Sequence, residues 1–280
     1  MSGSTINNGR RDRAGINVPN RNFLDLLNRE TKGPFRIAEA ARILDLSHTR
    51  ATRLLAYFAA RGWLSRLCKG LYVTVPLGTL HPSQRKEDAW ITAAKIFEPC
   101  YIGGWSACEH WGFTEQIFND IIVITSRSGR RKRNKIQGTT FIVKHVPREK
   151  MFGTKPVWRE QVKVAVSDPS RTLADLLSDP RLGGGIRHTA GVLREYFLSK
   201  DRNDSTLIQY LDNLNNSTAF KRLGYIIESS GINAPQVIGE CLGRIGKGFS
   251  ALDPAVKTKG RYLRRWNLRI NSKLTDSQDY

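Results

Sequence analysis

The sequence is short of the residues on which most catalytic, secreted and membrane readings rest. Its four cysteines, Cys68, Cys100, Cys108 and Cys241, are scattered without a C-x-x-C pair. That spacing excludes a disulfide framework and a zinc knuckle, and leaves buried free thiols. No apolar run reaches the roughly 18 residues that a spanning helix needs. The opening stretch "MSGSTINNGRRDRAGINVPNR" has no apolar core between charge and cleavage site, so neither a membrane segment nor a signal peptide is expected, and the cytoplasm is the expected location. Acidic residues are scarce as well. Asp and Glu total 25 against 45 Lys and Arg, for a formal charge of +20 and a pI near 10.2. Such a balance favours a polyanionic partner, nucleic acid above all.

What is present is enough for a real core. With 280 residues and 40% hydrophobic content, the chain is expected to hold two domains. Residues 1–18 are polar and basic and read as a flexible arm. From Asn20 the pattern changes: Phe23, Leu24, Leu26 and Leu27 make a short helix that "TKGPF" ends. A second helix is expected in "RIAEAARILDL", with a turn at Asp45 to Ser47. Ser47 is a good N-cap for a third helix from His48 to about Arg61. Ala51, Leu54, Leu55 and Phe58 recur at helical spacing and should face the core, which leaves Thr49, Arg50, Arg53 and Tyr57 on the other side. Gly62 suits the left-handed residue after that helix. "WLSRL" and "LYVTV" then form a hairpin with Cys68, Lys69 and Gly70 at its tip.

Three helices and a hairpin over 19–78 make a winged helix-turn-helix. A helix that enters the major groove needs a polar, basic outer face and an apolar inner one. Arg50 and Arg53 are therefore expected to touch bases, Thr49 a base or phosphate, and Arg66 with Lys69 the flanking backbone. A winged helix used only for protein contacts is the alternative.

The linker "PLGTLHPSQRKED" leads to a second domain over 86–230. "AWITAAKIF" is a helix, "PCYIGGWSACEHWGF" a strand or turn and a helix, and "DIIVITS" and "TTFIVKHV" are strands. Between those strands "RSGRRKRNKIQG" carries six bases and no acid, and reads as a hairpin loop. Arg130, Arg131, Lys132 and Arg133 in it are expected to add phosphate contacts. In "VKVAVSDPSRTLADLL" a strand runs into a helix capped by Asp168, with proline at its first position. Helices follow in "HTAGVLREYFLS", "STLIQYLDNL" and "STAFKRLGYIIESSG". The whole is expected to be α+β, a winged helix-turn-helix followed by a mixed α/β domain. Residues 231–280 read as a basic extension in which Tyr262 and Trp266 either stack on bases or sugars, or pack at a domain edge.

Taken in order, "KGLYVTVP", "YIGGWSACEHWGFTEQIFNDIIVIT", "VSDPSRTLADLL" and "FKRLGYIIE" resemble the AbiEi-type antitoxins of type IV toxin-antitoxin systems, predicted regulators of antiviral defence. The resemblance runs from the winged helix to about Gly231. It implies an N-terminal DNA-binding domain that represses the protein's own operon, and a C-terminal domain that assists repression and counters a nucleotidyltransferase-like toxin. The basic loop would then meet either DNA phosphates or an acidic surface of that toxin. A symmetric operator would call for self-association on DNA.

Enzymatic readings find little to converge on. Cys108, Glu109 and His110 are helix neighbours that point about 100° apart. His188 beside "GGG" lacks the lysine and Ser/Thr of a phosphate loop. A metal-dependent nuclease would have to draw on Asp120, Glu160 and Lys163, whose spacing is loose. Asp168 is better explained as a cap than as a catalytic acid. No catalytic activity, no metal and no cofactor are expected, and a stand-alone winged-helix regulator is the main alternative.

Overall fold

The structure is a computed structural model that describes residues 16–75, 86–129 and 131–274. Two compact units divide the chain, residues 1–85 and 86–280. The arm expected over 1–18 lies outside the described residues up to position 15, as does most of the linker, residues 76–85.

In the first unit, α1 (Val18–Glu30) starts under an N-cap from Asn17, whose side chain accepts from the Asn20 amide at 3.0 Å. The strand β1 (Phe35–Arg36), which carries no periodic signal, leads straight into α2 (Ile37–Ile43). Asp45 takes a left-handed φ of 51° in the turn that follows. α3 (His48–Ala60) begins at Ser47, whose hydroxyl accepts from the Arg50 amide at 3.3 Å. Gly62, at φ 76°, ends it as expected. β2 (Leu64–Cys68) and β3 (Leu71–Thr74) form the wing, and β1 adds to β3 so that the sheet order is β1-β3-β2. Leu27, Phe35, Ala40, Leu55 and Phe58 are buried in one core. The unit is a winged helix-turn-helix.

The second unit is built on a six-stranded mixed sheet. Its helix α4 (Ala89–Ile96) is capped by Asp88, which accepts from the Trp90 and Ile91 amides and pairs with Arg159 at 2.6 Å. β4 (Cys100–Ile102), α5 (Gly104–His110) and β5 (Ile121–Thr125) follow. β6 (Arg133–Ile136), β7 (Thr139–His145), β8 (Thr154–Arg159) and β9 (Val162–Ser167) complete the sheet in the order β6-β7-β5-β4-β9-β8. Alternation along the strands gives it two buried faces. Ile102, Val123, Val164 and Val166 pack with Ile91 and Ala93 of α4. Tyr101, Ile122 and Ile124 face the opposite way, towards the helices α6 (Pro169–Ser178), α7 (Ile186–Leu198), α8 (Asp204–Leu214) and α9 (Ser217–Ser229).

Two expectations are corrected here. The basic segment between "DIIVITS" and "TTFIVKHV" is not a hairpin loop, because β5 and β7 pair in parallel. Its second half is β6, zipped antiparallel to β7 through a Gln137–Gly138 turn in which both residues have positive φ. Parallel neighbours cannot be joined by a tight turn. The residues after Gly231 are likewise no extension. α10 (Pro235–Leu242) and the small sheet of β10 (Ser250–Ala251), β11 (Arg261–Leu263) and β12 (Leu268–Ile270) belong to the second unit. Val237, Cys241, Leu252, Trp266 and Leu268 enter its main core.

Side chains fix this closure. Trp266 is fully buried against α9 at Gly224, where a Cβ would overlap its ring, and its indole N–H donates to Glu228 at 2.6 Å. Of the two expected roles for Trp266, the packed one is therefore what the structure shows. Arg222, 4% exposed, donates to the carbonyls of Leu177 (2.8 Å) and Ser178 (3.2 Å) at the end of α6, and to those of Ala251 (3.1 Å) and Leu252 (2.9 Å) beside β10. A fixed cation at a helix C-terminus offsets the helix dipole. Burial pushes its guanidinium down to about 10.

Candidate nucleic-acid interface

The outer face of α3 follows from its inner one. Ala51, Leu55 and Phe58 are fully buried, so the helix cannot rotate about its axis. Thr49, Arg50, Arg53 and Tyr57 are all exposed on the side turned to solvent, and Leu54 is only partly buried. Tyr57, 41% exposed, is braced edge-on by Trp63 at 5.8 Å. Arg61, which sequence reasoning passed over, lies over the Tyr57 ring at 5.4 Å. Its position four residues after Tyr57 was the available signal. The face thus presents arginines near both ends with a held aromatic ring.

The wing places two further cations. Lys69 is exposed at a two-residue tip whose Gly70 has φ 77°. Arg66 is exposed too, but a bulge between Arg66 and Cys68 turns its Nε towards the Cys68 carbonyl at 3.4 Å. Burial pushes the Cys68 thiol up despite the opposing charges of Arg36 and Arg66, which leaves it the proton and the behaviour of a structural cysteine.

On the second unit the expected cluster is thinned by its own structure. Arg133 is paired with Asp120 at 2.6 Å, and Arg127 donates to the Ile96 carbonyl at 2.9 Å. Arg131 and Lys132 remain exposed on the segment entering β6. Arg130 lies outside the described residues.

The residues of the enzymatic readings do not come together. Asp120 lies at the end of the sheet where β4 and β9 finish, and Glu160 sits in the turn between β8 and β9 at the opposite end. Among the described residues no group of three His, Cys, Asp or Glu is placed to hold a metal ion. Cys108 is fully buried, its thiol pushed up by burial, while His110 packs edge-on against Trp90 (5.5 Å) and Trp111 (4.6 Å). The "GGG" turn before α7 already holds an anion of the chain itself: Asp253 accepts from the Ile186 amide at 2.9 Å. Asp168 is the cap it was expected to be, accepting from the Arg171 amide at 2.8 Å and from the Tyr210 hydroxyl at 2.9 Å.

The motif around it serves folding. Arg171 is fully buried and its guanidinium reaches Asp175 (3.0 Å), the Tyr101 hydroxyl (2.7 Å), and the carbonyls of Lys150 (2.9 Å) and Phe152 (3.1 Å). One side chain therefore joins α6, β4 and the connection from β7 to β8. Burial raises the Asp175 carboxyl against the opposing charge of Arg171.

No curated protein matches the chain. In fold it is similar to the crystal structure of the RV2827C protein from Mycobacterium tuberculosis, with a TM-score of 0.60 and 15% identity, over 91% of this chain and 92% of that one. The family model described as "Transcriptional regulator, AbiEi antitoxin" matches residues 22–75, from within α1 to the end of the wing. Over the winged helix, then, the chain is similar in sequence to the AbiEi antitoxin regulators, the family that its motifs also resemble.

Proposed function

We propose that the protein is a cytoplasmic DNA-binding repressor of its own operon and the antitoxin to a nucleotidyltransferase-like toxin encoded beside it. The observation that carries the DNA-binding half is the exposed face of α3: Thr49, Arg50, Arg53 and Tyr57 stand together on a helix whose other side is locked in a core. In this reading Arg50 and Arg53 reach base edges in the major groove, Thr49 a base or phosphate, and Lys69 with Arg66 the flanking backbone. Arg131 and Lys132 add phosphate contacts without reading sequence, and a symmetric operator is met by two copies of the chain. The match of residues 22–75 to a family of antitoxin regulators supports both halves.

Mobility shifts with the DNA upstream of the protein's own gene test the assignment. An arginine that reads a base is worth about 1–3 kcal/mol, so Arg53→Ala should weaken binding by that amount and relax sequence preference. Unchanged affinity and preference in the Arg50→Ala/Arg53→Ala variant would refute it. That variant should still restore growth when co-expressed with a toxic neighbouring gene. If the wild-type chain rescues no such growth, the alternative of a stand-alone regulator stands.

A further inference from the structure

We propose that the outer face of the small sheet β10-β12-β11 is a stacking platform for single-stranded nucleic acid, separate from the duplex-binding face of α3. Phe249 and Tyr262 are 48% and 65% exposed, yet their rings meet edge to face at 4.9 Å although they lie thirteen positions apart in sequence (262 less 249). Two large aromatic side chains held together in solvent are a poor use of apolar surface unless something covers them. The register sets the face: Tyr262 pairs with Arg269, and Arg269 pairs with Ala251, two residues beyond Phe249. Side chains of opposed residues share one side of a sheet, so Phe249, Arg269 and Tyr262 line the side away from buried Leu268.

Charge identifies the occupant. Between Lys247 and Lys273 there are eight Lys and Arg and a single acid, Asp253. That acid is buried and accepts from the Ile186 and Ala255 amides, so it does not offset the surface charge. Lys247, Lys257, Lys259, Arg261 and Arg264 are exposed along the segments that form this small sheet and join its strands. A polyanion satisfies the cations, but the rings make the distinction. In a duplex both faces of each base are covered by neighbours, whereas the bases of a single strand offer a free face to an aromatic side chain.

The platform is also rigid. Trp266 anchors it on Gly224, and the Asn271 side chain ties the strands by donating to the carbonyls of Asp253 (2.8 Å) and Val256 (2.7 Å). Gly260 has no room for a Cβ beside the Ile270 carbonyl, which holds β11 close to β12. Fixed rings lose little freedom when a base stacks on them.

The test uses the full chain and a fluorescent thymidine oligomer of about 15 nucleotides, the upper range of such footprints. Phe249→Ala/Tyr262→Ala should weaken its binding by about 10- to 100-fold. The conservative Tyr262→Phe should retain it, and binding to the upstream duplex should stay unchanged in both variants. Three outcomes overturn the proposal: no binding of the oligomer by the wild type, equal binding by wild type and double variant, or an equal loss of duplex and single-strand binding. A urea midpoint unchanged by tryptophan fluorescence shows that the second unit of the variant is folded, since all tryptophans but Trp63 lie there.

Discussion

Replacing Arg171 by methionine should be among the most damaging single changes to the second unit. The side chain is fully buried and donates to Asp175, Tyr101, Lys150 and Phe152. Methionine fills most of the space and supplies none of these donors. The Asp175 carboxylate, 6% exposed, would keep only the Tyr101 hydroxyl at 2.9 Å. Breaking a buried pair and stranding its partner costs about 3–5 kcal/mol, which is a large part of the roughly 5–15 kcal/mol that holds a domain together. Urea unfolding of the full chain measures the effect through tryptophan fluorescence, because all tryptophans but Trp63 lie in the second unit. Two results check the cause as well as the size. Arg171→Met/Asp175→Leu should recover part of the loss, since no charge is left stranded. The single variant should also regain stability on acidification. Burial already raises the Asp175 carboxyl, and without Arg171 it rises further. A raised folded pKa contributes stability below the unfolded value that is lost as pH climbs. A loss under about 1 kcal/mol, the worth of an exposed pair, or a double variant no better than the single, would refute this account.

Gly224→Ala should destabilise the second unit by about 1–3 kcal/mol, the usual cost of overpacking, because the new methyl enters the Trp266 ring; an unchanged urea midpoint would show that the ring can move aside. Burial lowers the His188 pKa from its ordinary 6.5. The unfolded chain therefore binds that proton more readily, so stability is full above about 6.5 and is lost as pH falls towards the folded value; His188→Gln should flatten the urea midpoint between neutral and mildly acidic pH. For DNA, Arg131→Ala/Lys132→Ala should reduce the slope of log affinity against log salt by about 2 units while leaving sequence preference alone, and an unchanged slope would point to a protein partner for this segment instead.

The parts legible in the sequence are those that local chemistry decides. α3 could be placed because its apolar spacing, the Ser47 cap and Gly62 agree with one another, and α6 because Asp168 and Pro169 mark its start. The strands at the sheet edges were not legible. β6 reads "RNKI", polar on both sides, because an outermost strand has little to bury. β8 contains Pro156, which argues against a strand except at an edge, where β8 lies. Trp266 follows two arginines and looks like a surface residue. Its true environment is set by the absent side chain of Gly224, far away in the chain.

The late closure of the second core has a consequence for synthesis. The first unit has all its core residues by Val75, whereas the second waits for Trp266 and Leu268. At the usual 5–20 residues per second, the 195 positions from 75 to 270 take roughly 10–40 s. For that interval each ribosome presents a finished winged helix ahead of a body whose helix α9 still exposes the surface at Gly224 that Trp266 will cover. A message cut short before this point yields a chain with a closed first unit and an open apolar seam in the second, a ready substrate for chaperones and proteases.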